Sequence, residues 1–319
     1  MARGWDVEQW KEDLAAACRF GDEEQARALV RQPGPRKARA LLEAMLEEED
    51  VLVRQAAVFG LGELGGAASV RRLEQQLVRE EARVGHDGDS VAEAITASLG
   101  RLKDAGARSI LLRRMHRMLG APLDPADTCT LARALWLRQH PELLPPIRQA
   151  LEQLPPGAPT ALHGLSVLLE NSPEALSEWA RDMSVPLNLK SEVLAVLTEE
   201  IPDAFISTLP SFISMAHASL GMTEDEEGAV SAYCLELLSL LLRHREHLPP
   251  RLPPEARSEL RAVARTLVAS RTLINCSTRA AVLLRYVGLP EDADLLMAHR
   301  PTDATFAAVF DESIQALRG

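Results

Sequence analysis

Hydrophobic positions recur at helical spacing along almost the whole chain. In "VRQAAVFGLGELG" (53–65), Val53, Ala56, Ala57 and Leu61 fall at i, i+3, i+4 and i+8, one face of a helix. The same face returns thirty-eight residues later in "VAEAITASLGRLK" (91–103) as Val91, Ala94, Ile95 and Leu99. Gly62 and Gly100 match, as do Leu64 and Leu102. A degraded third copy holds Cys129, Ala132 and Leu137, with Arg138 in the place of the glycine. After each copy the pattern predicts a turn and a second amphipathic helix, marked by Leu73 and Leu77, by Leu111 and Met115, and by Ile147 and Leu151. Neither helix of such a pair buries its apolar face alone, so stacked pairs must share one core. The expected fold is therefore all-α, an α-solenoid (superhelix) of stacked antiparallel helix pairs. Ala56, Ala57 and Gly60 are small enough for close helix approach. Gly62 and Gly65 are expected at or beyond the helix end, where glycine closes a C-terminus in the left-handed conformation.

Further helices are expected at 159–171, 173–183, 187–200, 203–220, 226–248, 254–270, 277–288 and 290–299. Pro210 is expected to kink or split its helix. The helix at 226–248 is the longest and most apolar, which predicts a central place. Residues 14–30 read as a tight helix–turn–helix around Gly21 and Asp22. The breaks "QPGPRK", "LPPGAP", "GMTEDEEG" and "LPPRLPP" are short enough for inter-helix turns. One array over 1–319 is expected: a capping pair at 1–34, clear repeats at 35–120, degenerate helical repeats at 121–252, and C-terminal repeats and cap at 253–319.

"EEDVLVRQAAVFGLGELG" (48–65) resembles the HEAT repeat, particularly the short bacterial form also seen in phycobilisome-lyase-type proteins. That motif reads as an acid, Val-Arg, Ala-Ala and Leu-Gly, here Asp50, Val53, Arg54, Ala56, Ala57, Leu61 and Gly62. The second copy keeps Asp87 or Asp89, Val91, Ala94, Leu99 and Gly100, but has Ala92 where the arginine belongs. "STRAAVLLRYVG" (277–288) is similar through Arg279, Ala280 and Ala281. The resemblance is clear over 38–120. It implies that the second helix of each pair lines a concave face.

Composition sharpens this picture. The chain is 46% hydrophobic but only 4% aromatic, and is dominated by the best helix formers. No apolar run reaches the roughly 18 residues that a membrane helix needs, so no membrane partner is expected. The N-terminus carries charges throughout and has no apolar signal core. Cys18, Cys129, Cys234 and Cys276 are far apart in apolar helical contexts, the usage of small buried hydrophobes in a reducing compartment. A cytoplasmic location is the expectation. Residues 1–120 hold nineteen Lys/Arg and twenty Asp/Glu, while 121–319 hold sixteen and twenty-six. From 191 to 242 there are nine acids and no Lys or Arg. Such a segment repels phosphate and disfavours nucleic-acid binding along the whole chain.

Catalytic motifs are absent. "GLGELGG" (60–66) matches neither a phosphate loop nor a dinucleotide fingerprint and reads as a helix end. "GHDGD" (85–89) lacks the later acid of a calcium loop and reads as a turn before a helix. In "RHREH" (243–247), His244 and His247 lack further zinc ligands, so no metal or cofactor is expected. Trp5, Trp10, Trp136 and Trp179 read as packing residues, with Trp5 or Trp10 a possible anchor at an open end.

The surface feature that points to function is an arginine strip. The predicted second helices carry Arg71, Arg72, Arg79 and Arg83, then Arg113, Arg114 and Arg117. Guanidinium groups suit bidentate capture of carboxylates or phosphates. The expected function is a non-enzymatic scaffold that binds another protein, through an acidic segment or helix, on this strip. One alternative is nucleic-acid binding by the N-terminal half, as in HEAT-like DNA-repair glycosylases. Another, carried by the phycobilisome-lyase likeness, is a lyase-like or cofactor-handling enzyme.

Overall fold

The computed structural model describes residues 6–83, 85–119, 124–155, 160–221, 227–270 and 273–319. Trp5 and most of "GMTEDEEG" lie outside them. The described residues are helical, with no strand. They form two compact units, Met1–Pro155 and Pro156–Gly319. The division falls within "LPPGAP".

The first unit contains α1 (Val7–Phe20), α2 (Glu23–Arg31), α3 (Pro35–Met45), α4 (Val51–Leu64), α5 (Gly66–Glu81), α6 (His86–Arg101), α7 (Ala105–Met118), α8 (Pro125–Leu137) and α9 (Leu144–Glu152). Gly21 ends α1 at φ +74°, and Asp22 caps α2 through the Gln25 N–H. Asp50, Asp104 and Asp124 cap α4, α7 and α8 in the same manner. Side-chain oxygens there satisfy N–H groups that a helix start leaves unbonded. Helices α1, α4, α6 and α8 pack side by side in one layer. The other layer holds α3, α5, α7 and α9. Leu61, Leu73, Leu77, Ile95, Leu99, Leu111 and Met115 are fully or almost fully buried between them.

The matched glycines lie in the last turn of their helices, which end at Leu64 and Arg101, and there they pack against neighbouring helices rather than closing the C-terminus. A Cβ on Gly62 would stand 3.3 Å from the Ser98 Oγ of α6. On Gly100 it would stand 2.7 Å from the Cα of Ala134 in α8. Each marks where neighbouring first-layer helices come closest. Gly65, at φ +62°, is the residue that closes α4.

The second unit contains α10 (Ala161–Glu170), α11 (Pro173–Arg181), α12 (Leu187–Leu197), α13 (Leu209–Ser219), α14 (Glu227–Arg243), α15 (Leu248–Arg251), α16 (Pro254–Ala269), α17 (Ile274–Val287), α18 (Asp292–Ala298) and α19 (Ala304–Arg318). Its layers are α10, α12, α14, α17 and α19 on one side and α11, α13, α16 and α18 on the other. Pro210 does split its segment, into a 3₁₀ turn at Asp203–Thr208 and α13.

Polar cross-links report the repeat length. In the first unit one set of them joins residues 35–39 apart: Gln55 to the Ser90 carbonyl, Arg27 to Glu63, Lys11 to Glu48, Thr130 to Glu93 and Arg113 to Glu74. In the middle of the second they join residues 44–48 apart: Arg243 to Glu199, Ser214 to Glu259, His244 to the Thr198 carbonyl and Arg251 to Asp203. The longer unit accommodates the extra turns Asp203–Thr208 and Leu248–Arg251, whose starts are separated by the same 45 residues as Ser214 and Glu259.

Candidate partner-binding face

Helices α5 and α7 are neighbours in the second layer of the first unit. Their apolar residues Leu73, Leu77, Leu111 and Met115 turn inward, which sends most of the arginines outward. The outward arginines are joined to carboxylates. Arg72 and Arg79 both donate to Glu47 Oε1, at 2.7 and 2.6 Å. Arg113 Nε donates to Glu74 at 3.1 Å, and Arg117 grips both oxygens of Glu81 at 2.7 and 3.1 Å. Arg83, just beyond the end of α5, stands 3.2 Å from the buried Glu80. Arg71 is exposed and has no ion pair among the described residues. Half of each Arg79 and Arg113 side chain (54%) remains open to solvent.

Arg114 is different. It is 2% exposed and donates to the Ala92 carbonyl at 2.9 Å and to Asp127 at 3.0 Å. Burial lowers its pKa, opposed by the nearby Asp127 and Glu81. It therefore holds α6, α7 and α8 together from within through its two terminal nitrogens, while its buried Nε, 3.5 Å from Glu81, makes no hydrogen bond. Arg54, which the motif contains but to which the sequence reading assigned no role, does the same work one repeat earlier. It is 1% exposed, donates to Glu80 Oε1 at 3.0 Å, and binds the Glu48 and Glu49 carbonyls at 3.0 and 2.6 Å. Gln76 completes the set by donating to Glu80 at 2.6 Å. Ala92 occupies the Arg54 position of the second copy, and Arg114 occupies the Gln76 position. The buried cation has moved from the first helix of the pair to the second. The spacing of Gln76 and Glu80 on one helix face was the available signal for the first network.

Titratable groups in the second unit were also missed. Helix α12 is apolar nearly all round because α10 and α14 both cover it, so its Lys190 and Glu192 are drawn inward. Lys190 donates to the Asp182 carbonyl at 2.7 Å. Glu192 accepts the Thr160 N–H at 3.2 Å and lies 3.6 Å from His163 Nδ1. Burial raises its carboxyl to about 7, against the opposing Thr160 hydrogen bond. Asp292 is buried between Arg261 and Arg265 and accepts the Leu289 N–H at 2.8 Å. Burial works against its charge, but these donors outweigh it and hold its pKa below the ordinary value.

No protein-family profile and no curated protein matches the sequence. Among solved structures, the chain is similar to an engineered protein of known crystal structure, 14% identical over 97% of this chain and 99% of that one, with a TM-score of 0.27. Likeness at that level carries no argument about fold or function.

The remaining sequence candidates have local accounts. "GHDGD" belongs to the start of α6, which begins at His86, one residue after Gly85 at φ +112°. His244 turns to the Thr198 carbonyl at 3.1 Å. Among the described residues no three His, Cys, Asp or Glu side chains gather as a metal site. Burial, aided by Glu23, raises the Cys18 thiol to about 11, and burial beside Cys276 raises Cys234 to about 12. Both are neutral at physiological pH, as befits packing residues. Trp10 is buried, with its Nε1 donating to the Leu29 carbonyl at 2.9 Å, so it offers nothing to a partner.

Proposed function

We propose that this protein is a HEAT-like solenoid that acts as a non-enzymatic scaffold, holding an acidic segment or helix of another protein on the α5–α7 face. The two-layer order of helices in each unit supports the repeat class, and HEAT and armadillo repeats of about 40–47 residues bracket the longer spacing. The observation that carries the binding reading is the row of half-exposed guanidiniums on successive helices, each fixed by a neighbouring carboxylate. Such pairing lowers the net charge of the face. It also orders long side chains in advance, which reduces the entropy lost when a partner carboxylate takes the unused donors. Arg71, Arg72, Arg79, Arg83, Arg113 and Arg117 form this surface, with Arg114 beneath it as support. The acids Glu47, Glu74 and Glu81 interrupt the positive charge of the face, which disfavours an uninterrupted phosphate backbone.

The test is affinity capture from native lysate with the wild-type chain and with a charge-reversal series at Arg72, Arg79, Arg113 and Arg117. Partners identified by mass spectrometry on the wild type are expected to vanish from the variants while circular dichroism is unchanged. Partners retained by well-folded variants would remove this face from consideration.

A further inference from the structure

In the second unit, the end of α16, the first turns of α17 and the start of α19 enclose an open cleft of about 460 Å³. Its volume falls in the range of small-molecule sites, about 300–1,000 Å³. None of its ten lining residues is acidic, in a half of the chain where acids outnumber Lys and Arg twenty-six to sixteen. Among the described residues that line it, Asn275, Thr278 and Arg279 share one face of α17 by their spacing, and His299 adds a further polar group. The apolar lining is formed by Val268, Pro301 and the ring of Phe306, which is 52% exposed.

Arg279 distinguishes this cleft. It stands directly before the buried Ala280 and Ala281, the place that Gln55 holds before Ala56 and Ala57. Arg54 is buried on Glu80, whereas Arg279 is exposed and has no ion pair among the described residues. An exposed guanidinium at an acid-free edge beside an aromatic ring meets a ligand with opposite charge and an apolar body. Two other clefts lack this combination. The one between α1 and the start of α4 is lined by Glu8, Glu12, Glu48 and Asp50. The one among α1, α2, α4 and α6 holds Phe59 and Arg101, but Glu23 lines it as well.

We infer that the cleft of Arg279 and Phe306 is a binding site for a small amphipathic anion, a carboxylate or phosphate monoester whose charged head sits at Arg279 and whose apolar body lies on Phe306. Asn275 and Thr278 supply hydrogen-bond donors to the head, and Val268 and Pro301 shape the apolar end. The site is separate in sequence and chemistry from the α5–α7 face.

Titration calorimetry of the full chain with phenyl phosphate, benzoate, inorganic phosphate and benzyl alcohol tests this inference. Phenyl phosphate or benzoate is expected to bind at least tenfold more tightly than either inorganic phosphate or benzyl alcohol. Whichever aromatic anion binds identifies the preferred head. Arg279→Gln and Phe306→Ser are each expected to weaken that binding tenfold or more, with the exposed Arg36→Gln as an unaffected control. Both changes are at exposed positions, and unchanged helicity verifies the fold. Failure of both aromatic anions to bind at millimolar concentration would overturn the proposal, as would full affinity in Arg279→Gln. Inorganic phosphate binding as tightly as phenyl phosphate would overturn the amphipathic assignment.

Discussion

Arg54 and Glu80 are worth more as a pair than as individuals. Removing either leaves a charge stranded in the interior, at a cost of about 3–5 kcal/mol. Arg54→Ala is therefore expected to lose that amount in denaturant unfolding. The double change Arg54→Met with Glu80→Leu is expected to lose much less, because no charge remains buried. Glu192 gives a pH-dependent counterpart. Its carboxyl is raised to about 7 from an ordinary 4.5, so the folded state holds the proton more tightly than the unfolded state. Its contribution is complete below about pH 4.5 and is lost as pH rises through about 7, with a slope of at most about 1.4 kcal/mol per unit. His163 is lowered by burial, so it draws stability away on the acid side instead. Because His163 lies 3.6 Å from Glu192, comparing Glu192→Gln with its parent in a His163→Gln background removes that term. The variant is expected to gain stability relative to that parent from pH 4.5 to 8 in thermal melts. Parallel curves would refute the assignment.

The glycines separate what a helix wants from what its neighbours allow. Gly62→Ala places a methyl group 3.3 Å from a Ser98 hydroxyl that can rotate away. Helix propensity then dominates, and the variant is expected to be neutral or up to about 1 kcal/mol more stable. Gly100→Ala drives its methyl group to 2.7 Å from the Ala134 backbone and is expected to cost about 1–3 kcal/mol. Chemical denaturation of the two variants side by side checks both signs. The same glycines show where the sequence was legible. The apolar periodicity of 53–61 and 91–99 identified the helices and the buried Ala56, Ala57, Leu61, Val91, Ile95 and Leu99, but Val53 and Ala94 are only half-buried, and Arg54 and Ala92 are buried instead. It did not reveal how far the helices continue past Leu61 and Leu99, because a glycine that ends a helix and one that admits a neighbour look alike in a single sequence. The recurrence in the second unit stayed hidden for another reason. Asp203 and Leu248 begin corresponding turns but share no chemistry. The arginine strip was readable residue by residue, whereas its carboxylate partners lie a helix away, and the burial of Arg114 depends on Ala92 leaving room.

Each unit has its own two layers and its own buried set, so residues 1–155 and 156–319 are each expected to fold when expressed alone, with helical circular dichroism and a cooperative melt. A half that remains unfolded would show that its core is incomplete without the other. Charge at this scale was visible from composition, but its use was not. In the near-neutral first 120 residues, several of the arginines are linked to carboxylates of neighbouring segments. The migration of the buried cation also bears on how such a chain can be rebuilt. Replacing α6–α7 with a copy of α4–α5 would bring in the Arg54 network but withdraw Arg114 from Asp127 in the next helix. The pairs are thus cast with different keys. Shuffling or duplicating them would create mismatched joints, so the order of the repeats is inscribed in the interior of the protein.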